Sequence, residues 1–190
     1  MIASLERTTR ETRVAITMKH PGEGRFEVLM ERSFLTHMLE ALCLNCRMDL
    51  SGSAEGDTHV DMHHLTEDLG IVMGQCLLRI WPTEPRRRYG WCVLPMDESL
   101  VRAAVDLSGR PGAYFSGELR HGLIGTFDSE LTFEFFRALA TEARLTLHLD
   151  VLKCSNLHHG VEGCFKCVGR ALGEALKPGG PMSTKGVMEV

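Results

Sequence analysis

The sequence has few aromatic residues and no excess of basic ones. Aromatic residues make up 6% of the 190-residue chain, and the formal net charge is −4 with a pI near 6.1. Proteins that bind single-stranded nucleic acids stack bases on aromatic side chains within a basic groove. Both shortages therefore argue against nucleic acid as a partner, and any phosphate site must be a local cluster of cations.

Long apolar runs are also missing. No window approaches the roughly 20 apolar residues that a membrane-spanning helix requires. Residues 1–20 mix charged residues such as Glu6, Arg7 and Arg10 with short apolar pieces, so they do not resemble a signal peptide. We therefore expect a cytoplasmic protein without a membrane partner, and its 44% of hydrophobic residues is enough for an ordinary packed core.

Seven cysteines is an odd number for a disulfide framework. Several lie in apolar stretches predicted to be helical, where a reduced thiol behaves as a small hydrophobic side chain. Two pairs have the C-x-x-C spacing of structural zinc sites, Cys43 with Cys46 and Cys164 with Cys167. Both pairs lie on predicted amphipathic helices, and a non-enzymatic metal-binding module built on them stays open as an alternative function.

Hydrophobic periodicity predicts the main elements of secondary structure. Period-two alternation predicts strands within residues 7–18, 49–61, 100–107 and 144–151. Ser33 is placed to cap a helix over residues 34–44, and further helices are predicted over residues 62–80, 127–143 and 158–176. Pro and Gly predict turns at residues 20–26 and 108–111.

The order of elements in the second half repeats that of the first. His63 and His158 lie 95 positions apart, as do Glu67 and Glu162. The same offset carries the second half's first predicted helix and following strand onto those of the first half. The sequence therefore predicts a duplicated strand–helix–strand–helix unit with an α+β fold. The predicted halves are residues 1–94 and 95–181 of one compact domain, and residues 182–190 form a polar tail.

Each half carries a His-His-x-x-Glu motif at the start of a predicted helix. The two copies are His63-His64-Glu67 and His158-His159-Glu162. On a helix, positions i and i+4 share a face, whereas adjacent positions diverge by about 100°. The first His of each motif can thus approach one ion together with the Glu, while the second His points elsewhere. This geometry predicts two ions that take further ligands from the other half or from another subunit.

His37 and His148 are the best additional donors. His148 alternates with leucines on its predicted strand, so it faces away from their apolar side. Imidazole with carboxylate suits first-row divalent ions such as Mn, Fe or Zn. Two motif copies in register favour a metal site over a pair of surface histidines.

A second group of residues is basic and comprises Arg88, Arg110, Lys166 and Lys185. Lys166 follows Glu162 by four residues and therefore lies on the same helical face. Arginine and lysine beside a metal suit a phosphorylated substrate.

Nine segments, in order along nearly the whole chain, resemble one known family. They are RTTRET at 7–12, HML at 37–39, EGDTHVDMHHLTEDLGI at 55–71, RYG at 88–90, PMDESL at 95–100, DLSGRP at 106–111, LTLH at 145–148, the HHxxE-x-x-FK segment at 156–166, and STKG at 183–186. Together they resemble the imidazoleglycerol-phosphate dehydratase family of histidine biosynthesis.

The resemblance implies a metal-dependent carbon–oxygen lyase. Its substrate would be D-erythro-imidazoleglycerol phosphate and its product imidazole-acetol phosphate. The implied fold is a duplicated α+β unit of two four-stranded sheets carrying helices, ribosomal protein S5 domain 2-like. The implied assembly is a homo-oligomer of 24 subunits built from trimers, with active sites between subunits. Each site would hold two Mn²⁺, although other divalent metals are possible.

Carried over by motif, the resemblance also implies the site residues. The implied metal ligands are His37, His63, His64, Glu67, His148, His158, His159 and Glu162. The implied substrate contacts are Glu11, His37, Arg88, Arg110, Lys166, Ser183 and Lys185. Glu11 and Glu67 are the candidate carboxylates for proton transfer, and His64 and His159 are included among the catalytic residues.

Three positions in or directly after the first predicted helix depart from the family pattern. Thr36 replaces a usual Asp, Ala41 a usual Gln and Asn45 a usual His. These departures motivate a second alternative, a diverged relative that keeps the metals but has altered or lost the dehydration.

Overall fold

The computed structural model describes residues 1–179, and the predicted tail with Ser183 and Lys185 lies outside them. The helices are α1 (Phe34–Cys46), α2 (His63–Ile80), α3 (Leu131–Glu142) and α4 (Leu157–Ala175). The strands are β1 (Ile2–Thr8), β2 (Thr12–Lys19), β3 (Phe26–Leu29), β4 (Asp49–Gly56), β5 (Tyr89–Met96), β6 (Ser99–Asp106), β7 (Gly112–Gly117), β8 (Leu123–Ile124), β9 (Phe127–Asp128) and β10 (Thr146–Lys153). None of the helices within residues 1–179 is both long and apolar enough to cross a membrane.

Two four-stranded sheets with the same strand order form the framework. The first sheet has the order β1-β2-β4-β3 and the second the order β5-β6-β10-β7. In each sheet the last pair is parallel and the other pairs are antiparallel. The predicted α+β fold with two four-stranded sheets is confirmed, and the shared order is what a duplicated unit produces.

The four strands predicted from the sequence are the four central strands. They correspond to β2, β4, β6 and β10, whereas the edge strands β1, β3, β5 and β7 were not predicted. The predicted strand at 7–18 is wrong at its start, because residues 7 and 8 belong to β1. Thr9 makes the turn between β1 and β2, and its hydroxyl accepts hydrogen bonds from the backbone N–H groups of Glu11 at 3.1 Å and Thr12 at 2.9 Å.

Three helices agree with their predictions to within two residues, and the fourth was predicted too long. Helix α3 begins at Leu131, and not at residue 127, because Phe127 and Asp128 pair with β8 in a small hairpin. The single offset of 95 is also corrected. The start of β6 follows that of β2 by 87 positions, and the start of β10 follows that of β4 by 97. The division at residue 94 stays a prediction, and β5 runs across it to pair with β6.

The helices pack in two pairs, α1 with α4 and α2 with α3, against the inner faces of the sheets. Each pair joins a helix of the first half to one of the second. Glycines allow the close approach of α1 and α4. A Cβ built on Gly169 would lie 2.8 Å from the carbonyl oxygen of Leu42, and one on Gly173 would lie 2.9 Å from that of Cys46. This contact sets the distance between the side chains at the starts of α1 and α4.

Alanine at Gly173 should therefore force α1 and α4 apart. We expect Gly173→Ala to lower the free energy of unfolding by about 1–3 kcal/mol, as overpacking of a close contact does. Urea unfolding followed by circular dichroism measures it.

Gly163→Ala on the same helix is the matched control, because its added Cβ would meet only side-chain carbon, with Val101 Cγ2 nearest at 3.1 Å. Alanine gains about 1 kcal/mol of helix propensity at either position, so the difference between the variants isolates the steric cost. Equal stability of the two variants would contradict the packing argument.

Candidate metal centre

Three side chains from two helices converge where α1 and α4 begin. They are His37 from the first turn of α1, and His158 and Glu162 from the first two turns of α4. One potential ligand atom from each lies within 4.8 Å of the others. His37 Nε2 is 3.7 Å from Glu162 Oε1, and His158 Nε2 is 3.4 Å from Glu162 Oε2. We name this group the His37 cluster.

The start of α4 fixes the ligands on that helix. Asn156 is the N-cap, and its side-chain oxygen accepts a hydrogen bond from the His158 backbone N–H at 3.0 Å. Phe34 packs edge-on against the imidazole of His158, with ring centroids 4.9 Å apart. The backbone and the ring of His158 are thus both held before any ion binds.

Glu162 is the buried member of the cluster. Only 5% of the surface of Glu162 is exposed, whereas the side chains of His37 and His158 are 51% and 45% exposed. Burial by itself would raise the pKa of the Glu162 carboxyl. The nearby positive charge of Lys166, whose Nζ lies 2.6 Å from Oε1, and the two histidines together outweigh this effect, so the pKa of Glu162 is lowered. An ionised carboxylate beside two open imidazoles is a donor set that fits a first-row divalent ion.

The adjacent histidines of each motif diverge, as predicted. The rings of His63 and His64 have centroids 6.0 Å apart and an interplanar angle of 84°. The corresponding values for His158 and His159 are 5.9 Å and 83°. The second histidine of each motif therefore faces different partners from the first.

His159 faces two carboxylates in the turn between β5 and β6. Its Nδ1 is 3.0 Å from Glu98 Oε2, and its Nε2 is 3.8 Å from Asp97 Oδ2, which makes a second group of potential metal ligands. The backbone N–H of Glu98 and the His159 ring lower the pKa of Glu98 to about 2. The motif PMDESL contains both acidic residues, but no role was predicted for them.

His64 has an equivalent environment in the first half. Its Nδ1 is 3.0 Å from Asp57 Oδ2, and its Nε2 is 4.0 Å from Glu11 Oε2. The hydrogen bond with Asp57 raises the pKa of His64. Glu11 precedes β2 as Glu98 precedes β6, 87 positions later, so both halves place a carboxylate near the second histidine of the motif.

His63 and Glu67 belong to neither ligand group that residues 1–179 contain. His63 is exposed and lines a cavity of about 590 Å³ whose wall includes Glu134 of α3. Glu134 follows His37 by 97 positions, the offset that relates β4 to β10, so it occupies in α3 the place of His37 in α1. Glu134 was missed because the offset of 95, correct for the motifs, pairs His37 with Thr132.

His148 lies on the outer face of the second sheet, opposite α4. Its ring stacks on Tyr114 with centroids 4.8 Å apart. Strand register places Trp91, Ala104, His148 and Tyr114 in one row across this face. The predicted outward orientation of His148 is confirmed, but the sheet separates it from the His37 cluster within one chain.

Arg88 and Arg110 meet at one end of the same outer face. Arg88 Nε lies 2.7 Å from Asp106 Oδ1, and Arg110 Nη2 lies 3.9 Å from Asp106 Oδ2. Asp106 pairs in register with Tyr89 and therefore faces the same side as the row that contains His148. The predicted site residues thus do not meet in one place within a chain, since Lys166 lies beside the His37 cluster and the two arginines lie on the outer face of the second sheet.

The buried thiols disfavour the zinc alternative. Cys43, Cys46, Cys164 and Cys167 are all buried. Burial raises the pKa of Cys46 to about 12 and raises those of the other three further. Zinc binds thiolates, and neither ligand group within residues 1–179 contains a cysteine. The cysteines fill the core, as the hydrophobic interpretation predicts.

The sequence matches one family model over most of its length. The model described as imidazoleglycerol-phosphate dehydratase matches residues 31–172. A protein named imidazoleglycerol-phosphate dehydratase from Exiguobacterium sp. is 46% identical over 191 residues and covers 98% of each chain. Its namesake from Halorhodospira halophila is 46% identical over 192 residues, with 98% of each chain covered.

Two solved structures are similar to this chain. The crystal structure of imidazoleglycerol-phosphate dehydratase from Staphylococcus aureus has a TM-score of 0.83 and 40% identity, and the match covers 94% of this chain and 100% of that one. The structure of the enzyme from Pyrococcus furiosus in complex with (S)-C348 has a TM-score of 0.84 and 34% identity, covering 97% and 100%.

The central position of Glu162 generates a prediction about metal affinity. Glu162→Gln should weaken the binding of divalent metal by roughly 100-fold or more, since loss even of a residue that only orients a ligand costs 10–100-fold. Elemental analysis after dialysis against a graded chelator measures it.

Glu27→Gln is the matched control, because it makes the same substitution at an exposed residue of β3 that belongs to neither ligand group within residues 1–179. Unchanged metal affinity in Glu162→Gln would exclude the His37 cluster as a metal centre.

Proposed function

The chain belongs to the imidazoleglycerol-phosphate dehydratase family, and we propose that it dehydrates D-erythro-imidazoleglycerol phosphate to imidazole-acetol phosphate in histidine biosynthesis. The His37 cluster is the observation that carries this proposal. The family resemblance extends over nearly the full chain. In the same chain, imidazoles from both halves of the fold lie beside the buried, ionised carboxylate of Glu162.

Two divalent ions, Mn²⁺ in the proposed enzyme, would be held by the eight residues carried over from the family. The proposed ligands are His37, His63, His64, Glu67, His148, His158, His159 and Glu162. The His37 cluster supports one centre, and Glu134 is a further candidate ligand for the other, since it lines the same cavity as His63. A bound divalent ion supplies Lewis acidity to the site.

Proton transfer is assigned to Glu11, Glu67, His64 and His159. Asp57 holds Nδ1 of His64 and leaves Nε2 directed toward Glu11. This arrangement leaves Nε2 of His64 free to coordinate a divalent ion and places the Glu11 carboxylate beside it, where Glu11 could accept or donate a proton. His159 has a similar arrangement, with Nδ1 held by Glu98.

The phosphate of the substrate is assigned to Lys166, Arg88, Arg110, Ser183 and Lys185. Arg88 is oriented by two contacts to Asp106, at 2.7 Å and 3.2 Å. Arginine held in this way offers a planar set of donors to phosphate oxygens. Fixing the phosphate would place the reacting carbon of the glycerol chain relative to the proton-transfer groups.

Complete sites would be built from more than one chain. His148, Arg88 and Arg110 lie on the outer face of the second sheet, and the His37 cluster lies on its helical side. The outer face also exposes Trp91 and Tyr114, which are 71% and 56% accessible. A face of this kind fits a second copy of the chain, in an assembly of 24 subunits built from trimers.

The activity itself gives the first test. Purified protein loaded with Mn²⁺ should convert imidazoleglycerol phosphate to imidazole-acetol phosphate, measured by product absorbance after base treatment. His37→Ala should lower kcat/KM by roughly 100-fold or more, because it removes a proposed metal ligand from the His37 cluster. Glu27→Gln should keep the activity.

Protein that binds metal but forms no product would favour the diverged relative. The substitution at Thr36 has a specific structural role, because its hydroxyl accepts from Ser33 N–H at 3.1 Å and donates to the Glu31 carbonyl at 2.9 Å. Thr36 therefore holds the start of α1 without the usual Asp.

Mixed oligomers test whether two chains share each site. His148→Ala and Glu162→Gln should each be inactive alone. When the two are co-expressed in equal amounts, about one quarter of the sites should receive both native residues if they come from different subunits of a heterologous interface. Activity of the mixture measures this recovery.

Co-expression of His158→Ala with Glu162→Gln is the control, because both residues lie in the same cluster of one chain and no site can be restored. Failure of the first mixture to recover activity, with intact assembly by native mass spectrometry, would refute the shared site.

A further inference from the structure

A line of hydrogen bonds holds the turn between β1 and β2, which carries Glu11. It begins at Asp68 of α2, a buried carboxylate that accepts from Arg7 Nε at 2.7 Å on one oxygen and from the Thr12 hydroxyl on the other. Thr9 Oγ1 lies 3.1 Å from Thr12 Oγ1 and accepts from the backbone N–H of Glu11 at 3.1 Å. We name Asp68, Thr12 and Thr9 the Asp68 network.

The hydrogen bonds of this network run in a single direction. The Asp68 carboxylate, paired with Arg7, only accepts, so the Thr12 hydroxyl donates to it. Thr12 Oγ1 is then the acceptor for the Thr9 hydroxyl, and Thr9 Oγ1 is the acceptor for the N–H of Glu11. An apolar side chain at either threonine therefore breaks the connection between α2 and the Glu11 backbone.

Asp57 holds the same turn from its other side. Its backbone N–H donates to the carbonyl oxygen of Glu11 at 3.1 Å, while its carboxylate lies 3.0 Å from His64 Nδ1. His64 and Asp68 are four residues apart on α2, so they share the face that contacts the turn. Both backbone polar groups of Glu11 are thus paired, and its position is fixed relative to His64.

The carboxylate of Glu11 is open, in contrast to its backbone. Its side chain is 54% exposed, and its contact with a cationic group is the 4.0 Å distance to His64 Nε2. Within residues 1–179 no side chain or backbone group donates a hydrogen bond to it. A fixed backbone with an open carboxylate suits proton transfer, because the group is placed accurately and still reaches a substrate atom.

The second half of the fold builds the same turn without the network. Glu98 occupies there the place of Glu11, but Gly163 stands at the position of Asp68, 95 residues later. Helix α4 packs against β5 and β6 around this glycine, so the fold does not require a carboxylate at that position. The network of the first half therefore has a role other than folding.

The carboxylate of Glu98 is occupied where that of Glu11 is open. It accepts from the Ser99 hydroxyl at 3.1 Å and from the Asn156 backbone N–H at 3.2 Å, and it lies 3.0 Å from His159 Nδ1. Glu98 is thus committed to contacts within the protein. Of the two equivalent carboxylates, Glu11 is the one placed to exchange a proton with a substrate.

We propose that Asp68, Thr12 and Thr9 are positioning residues for proton transfer by Glu11. The inference rests on the proposed function, because it takes Glu11 to exchange a proton with the substrate. Asp68 acts through the two threonines on the Glu11 backbone and has no contact with the reacting atoms. The segment RTTRET then has a physical explanation, since Arg7, Thr9 and Thr12 support the glutamate that lies among them.

Removal of one hydroxyl tests the network with little change in shape. Thr12→Val keeps a branched side chain at this buried position but neither donates to Asp68 nor accepts from Thr9. We expect kcat to fall by roughly 10–100-fold with KM within about threefold of wild type, because a small misplacement of a reacting group costs this much. Thr12→Ser, which retains the hydroxyl, should stay within about threefold of wild type in both constants.

Thr17→Val is the matched control. It makes the same substitution on β2 and removes a hydroxyl that bonds to Ser4 Oγ at 2.8 Å, away from the turn. Its kcat and KM should equal those of the wild type. A wild-type kcat in Thr12→Val, or equal losses in Thr12→Val and either Thr12→Ser or Thr17→Val, would overturn the proposal.

A double-mutant cycle separates an effect through Glu11 from a general loss of structure. In the Glu11→Gln background the carboxylate is already absent, so Thr12→Val should change the residual kcat by less than about threefold. An undiminished 10–100-fold loss in that background would show that Thr12 acts independently of Glu11. The positioning role would then be refuted.

Hydrogen–deuterium exchange gives a readout that does not depend on catalysis. The amides of Glu11 and Thr12 should exchange roughly 10-fold or more faster in Thr12→Val and Asp68→Asn than in wild type or Thr17→Val, because local opening becomes easier. Wild-type protein that forms no product contradicts the proposed function, while these exchange rates still decide whether the network holds the turn. Wild-type protein that dehydrates the substrate, with unchanged exchange in Thr12→Val, contradicts only the positioning role.

Discussion

A negative charge held almost out of water between α1 and α4 is the constraint on which the rest of the site depends. Taking a carboxylate out of water costs free energy unless cations or donors meet it. Glu162 meets Lys166 on one oxygen and borders the rings of His37 and His158. The close contact of the two helices at Gly169 and Gly173 brings these groups together, so core packing and site chemistry are coupled.

The duplicated architecture explains why the halves need one another. Each motif helix packs on the first helix of the other half, α4 on α1 and α2 on α3. Neither half alone would therefore supply the whole of its proposed ligand set. The two helix pairs do not carry identical side chains, because His37 on α1 corresponds to Glu134 on α3. The carboxylates Glu11 and Glu98 occupy equivalent positions, so the two proposed metal centres would share one plan but differ in their ligands.

The features that could be predicted from the sequence are those that leave a local pattern in it. Central strands have two paired neighbours and one buried face, which imposes the alternation that predicted β2, β4, β6 and β10. Edge strands carry that pattern weakly, and β5 even contains Pro95. The motif residues were found because helical spacing brings them together locally.

The missed acidic residues, Asp57, Asp97, Glu98 and Glu134, lie in turns or on the other half's helix. Their proximity to the histidines is a tertiary property, and local periodicity does not contain it. If the offset between the two halves had been allowed to change from 87 to 97 positions along the repeat, Glu98 would have aligned with Glu11 and Glu134 with His37. The sequence also did not show that His148 and Arg88 lie apart from the His37 cluster. That separation depends on which face of the second sheet each residue occupies, and the faces are defined only by the folded sheet.

The most direct measurement is an anomalous diffraction map at the manganese absorption edge from crystals of the Mn²⁺-loaded assembly. We expect two peaks per chain, one of them bordered by His37, His158 and Glu162, and His148 of a neighbouring subunit beside one of the peaks. A single peak, or peaks with no contact to Glu162, would contradict it.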